Sequence, residues 1–280
     1  MKRRSHNALA GLMWMLAAFL PFDARATKNM PDKTTDIDSY WEYSDQAGSE
    51  ARFRAALDSA AGDERLEILT QIARTFSLRK RFEEAHRLLD EIEPQLAKAG
   101  PRPRIRVLLE RGRTFNSAGD GGKAREQFLR AWQDASAAGR EGLAVDAAHM
   151  VAITYSGTAD AIPWNERGLA LARGSKDPKA LALVPAMLNN AAWDLHDMER
   201  YPEALALFEE ALREWTARGK PNQIRIAKWS VARCLRSLGR FQEALEAQRA
   251  LQKEYASDGE VDKSVLEEIA ENLAALGRKP

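Results

Sequence analysis

The residues that could do chemistry are few and scattered. Gly119-Asp120-Gly121-Gly122-Lys123-Ala124 comes nearest to a phosphate-cradling loop. In that motif the first glycine would fall on Ser117, and Ala124 stands where a hydroxyl would hold magnesium. A helix carrying Phe115 precedes it where the motif needs a strand, so the segment reads as a glycine turn between helices. Past His6 the histidines are His86, His149 and His196, far apart in sequence and in no His-Glu-x-x-His arrangement. Ser156-Gly157 lacks the upstream glycine of a nucleophile elbow. His196 and Asp197, adjacent on one helix, do not face each other. The single cysteine, Cys234, has no intramolecular disulfide partner and lies in a helix spanning 224–238, where it reads as a packed thiol. No nucleophile, base and oxyanion donor can be assembled. The expectation is a chain that is not an enzyme and holds no cofactor or metal.

The elements around these residues repeat. Phe-Gln-Glu-Ala-Leu-Glu-Ala at 241–247 echoes Tyr-Pro-Glu-Ala-Leu-Ala-Leu at 201–207. The same figure returns at Phe82, Glu84 and Ala85, and more weakly at Lys123, Ala124 and Phe128. The small residues Ala85, Ala124, Ala161, Ala204 and Ala244 recur at about forty-residue intervals, a period that means stacked helical pairs. Each has a first-helix partner, at Ala73, Gly112, His149, Ala192 and Ala232, followed by Phe76, Phe115, Ala152, Leu195 and Leu235. Leu89, Phe128, Asn165, Phe208 and Gln248 follow the second-helix anchors. Three- and four-residue steps put these on one stripe per helix. The third copy fits least, with His149 at the small crossing position and Asn165 at an apolar one, so a splayed or shifted pair is expected there. Residues 263–277 repeat a first helix without a second. Leu266, Ile269, Ala270 and Leu273 are expected on its inner face, with Glu267, Glu268 and Glu271 outward, as a solenoid cap requires. Residues 47–60 read as a half-pair closing the other end.

With the turn glycines Gly119 and Gly239 and the aromatics Phe82, Tyr201 and Phe241, this pattern resembles the tetratricopeptide repeat family over residues 63 to 277. The long spacing is similar to the extended form of kinesin-light-chain-type repeats, against a family period of about 34. The resemblance implies an all-α, right-handed superhelical solenoid of about five helix pairs with a C-terminal capping helix. It also implies that first helices line a concave groove, at Arg74, Arg113, Met150, Trp193 and Arg233, and three residues further at Ser77, Asn116, Ile153, His196 and Arg236. Asn189, Asn190 and Trp229 lie on the same lining. Family members that grip peptide C-termini use lysine, arginine and asparagine at comparable positions, because such donors suit a carboxylate. The expected partner-binding set is therefore Arg74, Arg113, Asn116, Asn189, Trp193, His196, Trp229, Arg233 and Arg236. A solvated charged face paired with local glutamates is the alternative for the arginines. Packing is the alternative for Trp193 and Trp229, while Trp132, Trp164 and Trp215 read as space-fillers on second helices.

Charge is abundant and balanced, 42 Lys and Arg against 41 Asp and Glu, so neither nucleic acid nor a membrane surface is indicated as a partner. At the N-terminus, Lys2, Arg3 and Arg4 precede an apolar run from Ala8 to Phe22, and Ala24-Arg25-Ala26 offers a small-x-small cleavage site. That is the layout of a secretory signal peptide over residues 1–26. The run is short of the about 20 apolar residues a membrane span needs, which leaves an uncleaved anchor as the lesser possibility. Residues 27–46 form a polar lead-in whose Tyr40, Trp41 and Tyr43 could fold back on the first helices, and residues 47–280 form the repeat domain. The expectation is a secreted or periplasmic scaffold of a bacterial envelope that binds a protein or peptide, acidic or C-terminal, in its groove. The alternatives are a sensor of a small molecule or signalling peptide, and an accessory domain of an envelope enzyme.

Overall fold

The computed structural model describes residues 36–279. The expected signal peptide and the start of the lead-in lie outside the described residues. Among the described residues there are twelve α-helices and no strand: α1 (Gln46–Leu57), α2 (Gly62–Leu78), α3 (Phe82–Ile92), α4 (Pro101–Ser117), α5 (Gly121–Ala137), α6 (Glu141–Thr154), α7 (Ala161–Gly174), α8 (Pro178–Asp197), α9 (Tyr201–Ala217), α10 (Pro221–Ser237), α11 (Phe241–Ser257) and α12 (Lys263–Ala275). Short 3₁₀ turns occupy Ile37–Tyr40 and Glu93–Lys98. The chain divides into two compact units, residues 36–155 with 163–183, and residues 156–162 with 184–279.

Helix ends follow local chemistry. Proline at the first turn of α4 and α10 removes a donor that no helix could use. Gly119 and Gly239 end α4 and α10 with φ of +90° and +74°, where a side chain would be strained. The amide after each glycine reaches back to close the end, from Asp120 to the Phe115 carbonyl at 2.9 Å and from Arg240 to the Leu235 carbonyl at 3.0 Å. An Arg-x-x-Glu ion pair then opens the next helix at Arg81–Glu84, Arg200–Glu203 and Arg240–Glu243.

In the first unit, Phe53, Ile68, Ile72, Leu89 and Ile92 form one core cluster, while Ile105, Leu109, Phe128 and Val151 form another. Each such side chain contributes about 1.5–3 kcal/mol when fully buried. The small residues do the positioning. Gly112 on α4 lets the Phe128 ring of α5 lie directly against the backbone, where even a methyl group would collide. Trp132 and Trp164 meet edge to face at 5.8 Å, as expected of space-fillers. Residues 36–45 run onto this unit: Trp41 is buried, stacks on Tyr43 at 4.8 Å and meets Phe53 at 5.1 Å.

In the second unit Ala192, Ala204, Ala232 and Ala244 are all buried at helix crossings, beside Phe208, Trp215, Leu245 and Leu251. The terminal helix corrects one expectation. Its inner face is Val265, Glu268, Asn272 and Leu273, and Leu266 is exposed. Glu268 turns inward because the guanidiniums of Arg233 and Arg236 hold it. The third pair, α6 and α7, has 14-residue helices against 17 in α4, α5, α9, α10 and α11, and buries both His149 and Asn165.

Candidate functional site: two first-helix faces

The expected groove residues fall on a separate face in each unit. Arg74, Arg113 and Asn116 belong to the first. On α4, Arg113 is buried and donates to Glu110 at 2.7 Å and to both oxygens of Asp146 on α6 at 2.6 Å. On α2, Arg74 is buried with Glu110 at 3.7 Å, and its guanidinium lies 5.4 Å from the Trp41 ring and 5.7 Å from that of Tyr43. Burial works against the charge on Arg113, but Asp146 and Glu110 outweigh it and raise its affinity for the proton. Burial likewise opposes ionisation of Asp146, and Arg113 overrides it, holding the carboxyl below its usual range. Both arginines are thus engaged inside the chain. Asn116 is half-buried at the end of α4, where its carbonyl accepts from Gly119 at 3.1 Å.

Residues absent from the sequence-based set complete this face. Glu67 accepts from Arg106 and from Arg102, each at 3.0 Å. Asp38 pairs with Arg106 at 3.3 Å and with Lys179, which also reaches Asp36 at 3.1 Å. Trp41 Nε1 donates to Gln71 Oε1 at 3.0 Å, and Gln71 Nε2 donates to Glu110 at 3.4 Å. The repeat register could have found them. Glu67 and Arg106 stand six residues before Ala73 and Gly112, and Gln71 and Glu110 two before.

The second face gathers the remaining expected residues. Trp193 on α8 is buried, edge to face with Phe208 at 4.9 Å and 6.0 Å from the Trp229 ring of α10. His196 lies 5.0 Å from both Trp193 and Tyr201, and its Nε2 is 2.9 Å from Ser237 Oγ. Arg233 donates to the same hydroxyl at 2.6 Å. Arg236 takes both oxygens of Glu268, at 2.7 and 2.9 Å, and Arg233 Nε lies 3.3 Å from that carboxylate. Two guanidiniums therefore share one buried carboxylate, and the exposed Glu271 lies 3.8 Å from Arg236. Burial first, and then Arg236, push Arg233 below the usual arginine range. The buried amide oxygen of Asn189 and the indole N–H of Trp229 find no hydrogen-bond partner among the described residues.

Cys234 is buried behind this face, and burial raises its thiol to about 11. Among the described residues no cluster of His, Cys, Asp and Glu could hold a metal ion, and no helix is long and apolar enough to cross a membrane.

The stacked pairs and their small-residue crossings give a tetratricopeptide-like helical repeat fold. Residues 183–253 match the tetratricopeptide repeat family model. Among solved structures, the TPR-like repeats of a putative kinesin light chain from Podosopora anserina share 19% identity at a TM-score of 0.57, over 71% of this chain and 99% of that one. The apo form of RapI shares 13% at 0.67, over 86% and 70%. NprR, solved in complex with its cognate peptide NprX, shares 14% at 0.53, over 99% and 75%. These likenesses carry the fold. No curated protein matches the sequence.

Proposed function

We propose that this chain is an exported, non-enzymatic scaffold that binds an acidic or C-terminal segment of another protein on the first-helix face of its second unit. The fold supports the general reading, since it is a protein-interaction fold and NprR takes a peptide on a related one. One observation carries the finer reading: Arg233 and Arg236 share the buried carboxylate of Glu268, with the exposed Glu271 at the edge of the pair, beside the indoles of Trp193 and Trp229. A partner carboxylate would engage the guanidinium fork in place of the exposed Glu271. The rings would cover the apolar part of the segment. Export is supported by Lys2, Arg3, Arg4 and the apolar run to Phe22, with Ala24-Arg25-Ala26 as the cleavage site; a periplasmic home follows from that reading.

Affinity capture from the cell envelope tests the proposal, with wild type, Arg233→Ala and Trp229→Ala as baits. Each substitution is expected to weaken the captured complex by about 1–3 kcal/mol, as arginine and aromatic anchors do. Added salt is expected to weaken it too, because exposed charge attraction is screened within about 8 Å at physiological ionic strength. Normal binding by both variants would refute the assignment of this face. A purified exported protein whose intact mass still includes residues 1–26 would refute the cleavage.

A further inference from the structure

The first unit's face is not open: the chain's own residues 36–43 lie on it. They meet it with a specific chemistry. The Asp38 carboxylate sits between Arg106 of α4 and Lys179 of α8. Three positions on, the Trp41 indole donates to Gln71 and lies under the Arg74 guanidinium. Tyr43 stacks on Trp41, under the same guanidinium. Ile37 is buried in the core cluster, whereas Ser39, Glu42 and Ser44 point to solvent. This is a short acidic and aromatic segment, built on the 3₁₀ turn at Ile37–Tyr40.

A plug serving stability alone would be expected to be apolar, because buried ion networks are weak contributors to stability compared with well-packed hydrophobic groups. Here the surface under the strap is instead densely polar: Glu67, Gln71, Arg74, Arg106, Glu110 and Arg113 are all buried. They also occupy corresponding positions of two successive repeats, where a repeat surface presents its recognition residues. Arginine, lysine and glutamine are suited to an acid followed by an indole, through ion pairing, cation–π contact and a hydrogen bond.

We propose that the face of α2, α4 and α6 is a recognition site for a protein segment carrying an acidic residue three positions before a tryptophan, and that residues Asp36–Tyr43 are its tethered occupant. The strap holds the face closed until a partner segment of the same chemistry displaces it. This deepens the binding reading above but concerns a different face. A tethered competitor reduces the apparent affinity of an outside ligand by the fraction of time the site is open.

The test uses the full chain and a labelled synthetic peptide of residues 36–45, followed by fluorescence anisotropy. Full-length Asp38→Asn/Trp41→Ala, whose strap is weakened, is expected to bind the peptide about tenfold or more tightly than wild type. Adding Arg106→Gln to that variant is expected to abolish the gain, and a scrambled peptide is expected not to bind. Circular dichroism establishes that each variant is folded. A folded double variant that ignores the peptide, or that binds the scrambled one equally, would overturn the proposal. Should the double variant fail to fold, hydrogen exchange on wild type decides. Saturating peptide is expected to speed exchange at residues 36–43, and unchanged protection overturns displacement. The gain is read in an Arg233→Ala/Trp229→Ala background, which removes acidic-peptide binding at the other unit's face, so the two proposals fail separately.

Discussion

Gly112→Ala is the sharpest probe of how the repeats pack. A methyl group at this position would lie 2.5 Å from Phe128 Cε1, 2.7 Å from Cδ1 and 2.9 Å from Cζ. Real contacts of that kind do not occur, so either the α4–α5 crossing or the ring must move. The ring is fully buried and has no solvent to swing into. In an open helix interior the same change stabilises by about 1 kcal/mol through backbone entropy. Overpacking a closed core costs about 1–3 kcal/mol, and here two helices are wedged apart. The collision is expected to win, leaving a net loss of about 1–2 kcal/mol. For a chain of this size that lowers a thermal midpoint by about 2–4 °C per kcal/mol. Differential scanning calorimetry reads it, with Gly121→Ala as a control, since a methyl group there meets nothing within 4 Å. In a Phe128→Leu background the same Gly112→Ala change is expected to become neutral or favourable, because the two sites couple directly. A Gly112→Ala midpoint at or above wild type would refute the crossing geometry and the register built on it.

Two further predictions concern titration. Burial lowers His149 to about 4, with Asp146 pulling the other way and Arg113 reinforcing the drop. Between the usual histidine value of about 6.5 and that lowered value the unfolded chain binds more protons, so stability is full above the window and falls as pH drops through it. The expected loss is about 3 kcal/mol, and His149→Gln is expected to flatten that part of a midpoint-against-pH curve; an unchanged slope contradicts it. The Cys234 thiol, raised to about 11 by burial, is expected to resist thiol-reactive dyes at neutral pH until the protein is unfolded. Rapid labelling of the native protein would contradict that.

The stacking was legible because small residues at a fixed period leave few packing solutions. Ala73, Ala85, Ala124, Ala192, Ala204, Ala232 and Ala244 all sit buried at the crossings assigned to them. The faces were legible only as positions. Arg74, Arg113 and their shared counter-charge Glu110 could be placed on a first-helix face from the repeat register, but the partners that come from other elements could not. Asp146 comes from a neighbouring repeat, and the strap that supplies Trp41 lies outside the repeats altogether. The inner face of α12 was misread for the same reason, because hydropathy favours Leu266 whereas an ion pair with α10 draws in Glu268. Periodicity reports which side of a helix is buried; it does not report which charge is buried because another charge meets it.

The proposed site for a partner segment is the first-helix face of the second unit. Ile226 lies three residues before Trp229 and seven before Arg233 on α10, and so shares their side of the helix. A photo-crosslinking side chain at Ile226 in the full chain, with the same probe at exposed Arg213 of α9 as comparator, reports contact directly. Mass spectrometry is expected to find the Ile226 probe joined to one acidic or C-terminal partner segment, with the yield falling as salt rises. Crosslinks from Arg213 alone, with the partner still bound, would contradict it.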